Sequence, residues 1–362
     1  MTILDQFGRP MDTRRPAPPG GFAVRPRVVR AKYDAAQTTD DNTRHWAASD
    51  SLSADQANSY AIRKKLRERA RYETANNTTL GGIVDTYVDD TVGQAGPRLQ
   101  LLTANVDLND EVEREWRRWA AAARFGQKLR TLHRSRVVDG EGFALFITNP
   151  RLKHPVTLDL RVLECDRFHS TGLIAEDNNI DGVVLDEQGN AIEYHVLSAH
   201  PGGSEYTGFD KTIAYDAEWI IHWFRAWRSE QHRGVPAILA ALPLAAYDRR
   251  FRLAVLAAAE TCADISMLLY TEAPANGEAA NVDEYSAMEI ERNVMMSVPG
   301  GWKPSQMTPQ QPAATYKEFK RETTTDMARP VAMPRNIAAG DSSDYNFASG
   351  RLDHGTYFKR IG

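Results

Sequence analysis

Residues 243–270 read PLAAYDRRFRLAVLAAAETCADISMLLY. Apolar side chains fall at 247, 251, 255, 258, 262, 265 and 269, in steps of three and four that share one helix face. The spacing predicts a single amphipathic helix from Pro243, near its start or a kink, to Tyr270, well above the usual length of a globular helix. The charge pattern then changes. No Lys or Arg occurs from Leu253 to Glu291, whereas Glu260, Asp264, Glu272, Glu278, Asp283, Glu284, Glu289 and Glu291 are all acidic. A long helix feeding a purely acidic, Ala- and Asn-rich excursion is unusual in a compact enzyme.

Downstream, Met295–Val298 reads as a short strand before the Pro299-Gly-Gly-Trp302 turn, and Ala313–Arg329 as a helix of mixed charge. Asn336–Ser349 is small, polar and loop-like, and Arg351–Ile361 starts another helix. Upstream, short apolar runs bounded by turn residues predict strands at Phe143–Thr148, Thr157–Leu163, Gly182–Asp186, Ala191–Leu197 and Trp219–Phe224. The second pair forms a hairpin whose loop carries Gly189-Asn190. Before them come four helices: Asp55–Asn76, Leu80–Val92 stopped by Gly93, one starting at the Asn109 cap, and Gln127–Val138 after a break at Gly126. Arg98–Leu102 is strand-like, and the pair Trp116 and Trp119 reads as core. Helices followed by a mostly antiparallel sheet place the chain in the α+β class. Residues 1–58, rich in Pro, Gly, Ser, Thr and Asn, read as an extended arm with one short helix near Asp41–Ala48.

The 362 residues carry 44 Lys plus Arg against 48 Asp plus Glu, a formal charge of −4, so phosphate neutralisation over a broad basic surface is excluded. Any DNA contact must come from local patches, or the protein must hold DNA without gripping it. One such patch is Arg63, Lys64, Lys65, Arg67, Arg69 and Arg71, which face the single acid Glu68; it is either a solvated helix face or a surface for a polyanion or an acidic neighbouring subunit. Cys165 and Cys262 are too few for a disulfide framework and read as buried thiols. The N-terminus has no apolar h-region, and the longest apolar stretch, Val235–Tyr247, is too short to span a bilayer, so no membrane partner is expected. Neither G-x-x-x-x-G-K-[ST], G-x-G-x-x-G, H-E-x-x-H nor G-x-S-x-G occurs. No catalytic residue, metal site or cofactor is therefore predicted. His222 and His232 read as separate, and Gly340–Asp344 as a polar loop with side-chain to backbone bonds. Asp139, Glu141 and Asp166 could pair in space.

Asn76–Gln100 (NNTTLGGIVDTYVDDTVGQAGPRLQ) resembles the Asn-rich, helix, V-G-x-G, R-L-Q signature of lambda-family phage portal proteins. Later segments are similar to that family in the same order: Val138-Asp-Gly-Glu-Gly-Phe, Leu163-Glu-Cys-Asp-Arg, Ile180-Asp-Gly-Val with Asn190–Tyr194, Ile221-His-Trp-Phe, Gln231-His-Arg-Gly-Val-Pro, and Tyr345-Asn-Phe-Ala-Ser-Gly-Arg. Phe347 and Ala348 depart from the family's Tyr or Ser. The resemblance covers residues 59–354. It implies the portal fold: an α/β wing, long stem helices and a small clip.

On that resemblance, residues 1–58 are the arm, 59–234 the wing, 235–270 stem helix 1, 271–311 the clip, 312–334 stem helix 2, 335–349 the tunnel loop and 350–362 the start of a further wing helix. Family members continue through more wing and a C-terminal crown, so the chain is expected to end early. The resemblance implies a non-enzymatic subunit of a homo-oligomeric ring of about twelve copies. The ring sits at the capsid vertex of the virion and is assembled in the host cytoplasm. Its partners are the terminase large subunit, major capsid and scaffolding proteins, tail connector proteins, and double-stranded DNA passing through the channel during packaging and ejection. Arg335, Asn336, Asp341, Ser342, Ser343, Asp344, Tyr345 and Asn346 become candidates for facing DNA. Glu260, Asp264, Glu272, Glu278, Asp283 and Glu284 would form an acidic wall that repels phosphate and lets DNA slide. Arg63, Lys64, Arg67 and Arg71, with the arm, become candidates for a contact between subunits. Two other readings compete. A metal-dependent nuclease would use Asp89, Asp90, Asp139 and Glu141; a DNA-binding module would show steep salt dependence on short duplexes.

Overall fold

The computed structural model describes residues 43–93, 95–169, 178–206, 211–264, 268–270, 301–305 and 315–361. The chain divides into two units after Ser51. In the first, residues 43–48 are turns, closed by Ser49 donating from its amide and hydroxyl to the Trp46 carbonyl. The short helix expected there is absent among the described residues.

In the second unit, α1 (Ala54–Ala57) and α2 (Tyr60–Asn76) replace the one expected helix, because the chain turns at Asn58 and restarts. Asn77 separates α2 from α3 (Thr78–Val92) and caps the latter by accepting from the Thr79 and Leu80 amides. Arg98–Leu102 is not a strand; Leu102 lies in solvent, and the Leu101 amide donates to Glu113. α4 (Val106–Ala122) begins at Asn105 rather than Asn109, since the Asn105 side chain accepts from the Leu108 amide. The break before α5 (Phe125–Val138) falls at Arg124, in left-handed backbone at φ 52°. Gly126 is inside the helix, where any side chain would strike the Ala95 backbone. It is a packing glycine and not a breaker.

The strands form two three-stranded antiparallel sheets. In the first, β1 (Glu141–Thr148) lies between β2 (Leu158–Leu163) and β6 (Ile220–Phe224). In the second, β4 (Ala191–Leu197) lies between β3 (Val183–Leu185) and β5 (Thr212–Asp216), the last unanticipated from sequence. A single bridge between Phe168 and Val196 ties the two. Phe143, Leu163, Phe168, Tyr194 and Val196 make their shared core.

The quoted stretch forms α6 (Leu242–Asp264), with Pro243 in its first turn as expected. The residues expected to continue it do not: β7 (Leu268–Tyr270) pairs antiparallel with β8 (Lys303–Ser305). α7 (Tyr316–Ala328) follows, then a 3-10 turn at Arg329–Val331. Residues 335–349 are not one loop. α8 (Arg335–Ala339) ends at Gly340 in left-handed backbone, and α9 (Phe347–Ile361) begins earlier than expected. The helical core joins α2, α3, α5, α6, α7 and α9 through Ala70, Leu80, Ile83, Val137, Ala245, Met327 and Tyr357. No helix among the described residues is long and apolar enough to cross a membrane.

Candidate functional site

The basic run of α2 decides how the helices meet the sheets. Arg63, Arg67 and Arg71 recur every four residues, so a right-handed helix lines them up along one edge. That edge points inward: Arg63 and Arg67 are only 2% and 1% exposed. The reading of α2 as a uniformly solvated or surface-binding basic face is corrected for these two, while Lys64 is exposed and Arg71 partly so.

Their partners come from four places in the chain. Gly140 adopts φ 96°, and Gly140 and Gly234 approach so closely that a side chain on either would strike the other's strand of backbone. This approach sets Arg233 against Glu141 at the start of β1. Arg233 donates through Nε and Nη2 to the two Glu141 oxygens, at 2.9 and 2.6 Å. The same carboxylate accepts from the Gly234 amide at 3.0 Å, meets His222 Nε2 at 3.2 Å and Arg67 at 3.5 Å. Arg71 bridges Asp139 and Asp166, each at 2.6 Å, and Arg67 reaches Asp166 at 3.5 Å. Asp181 accepts from Arg63 and Arg233.

The four carboxylates Asp139, Glu141, Asp166 and Asp181 thus balance the four guanidinium groups of Arg63, Arg67, Arg71 and Arg233. Burial would raise the Glu141 carboxyl, but Arg233 and His222 outweigh it and hold it well below the usual range. Burial likewise opposes Asp166, which Arg67 and Arg71 hold down. Burial wins at Asp139, raising it, and at Arg63, lowered to about 9 with Arg233 adding to the effect. Burial pushes the Cys165 thiol up, so it stays protonated and unreactive. His222 is held neutral by burial. With its carboxylates all committed to arginines, the network offers no free base, nucleophile or ligand; its chemistry is to lock helix to sheet.

Asp89 and Asp90 are exposed on α3, and Asp90 accepts from Tyr357, whereas Asp139 and Glu141 are committed to arginines. The nuclease constellation is not assembled. His222 meets Glu141 and His232 meets Asp55, so these two histidines are not a pair. Glu164, Asp166 and His200 cluster closely enough to share an ion, but Asp166 is already bound to Arg71.

The DNA-facing candidates divide. Asp341, Ser342, Ser343, Asp344 and Asn346 are exposed, Tyr345 is half-buried, and Arg335 stacks over the Tyr345 ring at 5.1 Å. Asp341 accepts from the Ser343 amide, the local bond expected of that loop. Asn336 departs from expectation: it is buried at 3% and bonds His354 on α9. Of the acidic wall, Glu260 is exposed on α6. Cys262 and Asp264 lie in α6 with side chains that are not described, and Glu272, Glu278, Asp283 and Glu284 fall outside the described residues. The strand expected at Met295–Val298 is outside them too.

The family model for phage portal protein, lambda family, matches residues 39–361. A chain in the virion of a native gene transfer agent (GTA) particle is 17% identical, with a TM-score of 0.50 over 81% of this chain and 77% of that one. A chain in the neck of an empty GTA particle is 18% identical, with a TM-score of 0.49 over 77% and 72%. At such identity the likeness to the virion chain is one of fold. No curated protein matches.

Proposed function

The chain belongs to the lambda family of phage portal proteins, a structural family, and from that membership we propose that it is the repeating subunit of a closed ring of about twelve copies that forms the DNA conduit of a phage-like capsid. One observation supports this beyond the family. α6 leaves Tyr247, Leu253 and Leu256 at 69, 60 and 60% exposure, and Phe319 of α7 beside it at 49%. At about 100° per residue, Leu256 lies roughly opposite Tyr247 on α6. An exposed apolar patch on each of two opposite sides is what a ring member needs, because a heterologous contact joins one patch to a different patch on the next copy.

In this reading α6 and α7 are the stem helices and residues 271–311 the clip. Glu260 and the acids that follow it repel the phosphate backbone, so DNA slides where a basic wall would hold it by counterion release. Docking of terminase, nucleation of the capsid, joining to the tail and residence in the virion belong to the same proposal, as does exposed Lys64 contacting a neighbour. Negative-stain imaging with native mass measurement tests it. A ring with a central hole is expected, and Tyr247→Glu or Leu256→Glu should reduce it to monomers with unchanged secondary structure. A monodisperse monomer from the unaltered chain would overturn it.

A further inference from the structure

A second group of arginines lies where β6 runs out. The cleft there is walled by Arg225 and Trp227 after β6, the Arg329-Pro330 turn, Arg136 of α5 and Arg360 near the end of α9. Its open mouth has a volume of about 500 Å³, and it narrows to an inner end of about 30 Å³ between Arg136, Arg225 and Arg360. None of these four arginines makes an ion pair among the described residues, and the one carboxylate in the wall, Asp326, bonds none of them. Arg136 is held in place by its guanidinium stacking 5.0 Å over Trp223, which stacks in turn on His133 at 4.9 Å. Its Nε is buried with no hydrogen-bond partner. Trp227 is half exposed at the mouth.

Uncompensated positive charge converging on a pocket calls for an anion, and a buried donor without an acceptor calls for one that reaches inside. The shape selects the class. A nucleic acid presents a phosphate about every 3.4 Å along a strand and is matched by a row of cations, whereas these converge on one narrow end. An indole at the mouth beside guanidinium groups is the composition of a protein hot spot. We propose that the cleft between Arg136, Arg225, Arg329 and Arg360 docks an acidic peptide segment of a partner protein. One carboxylate enters the inner end as a charge-assisted acceptor for the guanidinium groups, and an apolar neighbour of that residue covers Trp227. This docking does not depend on the ring.

Titration of the full chain with a short Glu- and Leu-containing peptide, followed by tryptophan fluorescence, tests the assignment. The acidic peptide should bind and weaken with salt, and its Gln-substituted counterpart should bind at least tenfold more weakly. Arg225→Gln and Arg360→Gln should each lower the affinity about tenfold, with Trp227→Ala abolishing most of the signal. Arg118→Gln, on an exposed part of α4, should leave affinity unchanged. All four residues have solvent-exposed side chains, and an unchanged thermal midpoint verifies that the variants fold. Equal binding of the Gln peptide, no binding of either, or affinity untouched by the cleft variants would overturn the proposal. So would preferential, competing binding of an oligothymidylate, which would make the cleft a nucleic-acid site.

Discussion

Two sets of four arginines in this molecule meet opposite fates. Arg63, Arg67, Arg71 and Arg233 are matched one for one by carboxylates, and three of them are almost wholly buried. Arg136, Arg225, Arg329 and Arg360 have no carboxylate partner among the described residues and border an open cleft. The same side chain is structural where its charge is neutralised from within and available for recognition where it is not. Charge counting along the sequence sees eight equivalent arginines; pairing in space separates them.

The sharpest way to break the contrast is Glu141→Ala. It strands the Arg233 and Arg67 charges in the interior, and loss of one partner of a buried pair costs about 3–5 kcal/mol. Chemical denaturation should show that loss, or no soluble protein at all, while Glu141→Gln, which keeps acceptor and shape, should lose less. Acid titration attacks the same network. Glu141 and Asp166 are held below their ordinary values of 4.5 and 3.8, so their stabilisation is present above those values and drains away as pH falls through the folded-state ones. Asp139, raised by burial, works in the opposite sense, so a denaturation midpoint that rises on acidification below pH 4.5 would contradict the dominance of Glu141 and Asp166.

His133 sharpens the other side of the comparison. Burial, with Arg136 adding to it, lowers its ring to about 4 from 6.5. The unfolded chain therefore takes up a proton that the fold refuses, and stability falls between pH 6.5 and 4, by up to about 3 kcal/mol. His133→Phe should flatten that stretch of the pH–stability curve while keeping the stack on Trp223. Arg71→Ala should cost less, about 1–2 kcal/mol, because Arg71 is more than a third exposed although it leaves the buried Asp139 without its donor. Arg225→Gln should leave the unfolding midpoint where it is, since Arg225 is exposed and its side chain makes no ion pair or hydrogen bond among the described residues.

Much of the fold was legible in the sequence because periodicity and turn chemistry are local. α3, β1, β4, the Gly189 hairpin and the start of α6 all come from spacing, Gly and Pro. What failed was set by tertiary contact. The end of α6 was overridden where Leu268–Tyr270 found a strand partner at Lys303–Ser305, more than thirty residues away. Gly126 reads as a breaker until Ala95 is seen pressed against it. The burial of Arg63 and Arg67 was invisible, although their spacing of four was a usable signal and Asp139, Glu141 and Asp166 stood out as acids able to pair. Arg233 had no signal beyond its place in Gln231-His-Arg-Gly-Val-Pro, since only the approach of Gly140 and Gly234 gives it Glu141. The cleft arginines are scattered from position 136 to 360 and meet only in three dimensions.

The claim on which the function rests is that α6 has a neighbour on both sides. Native mass measurement of the full chain, compared with Leu256→Glu, tests it most directly. A closed assembly of about twelve copies that collapses to monomer in the variant is the result expected of a ring. An unaltered chain that runs as a monomer, or a variant that assembles as well as its parent, would contradict it.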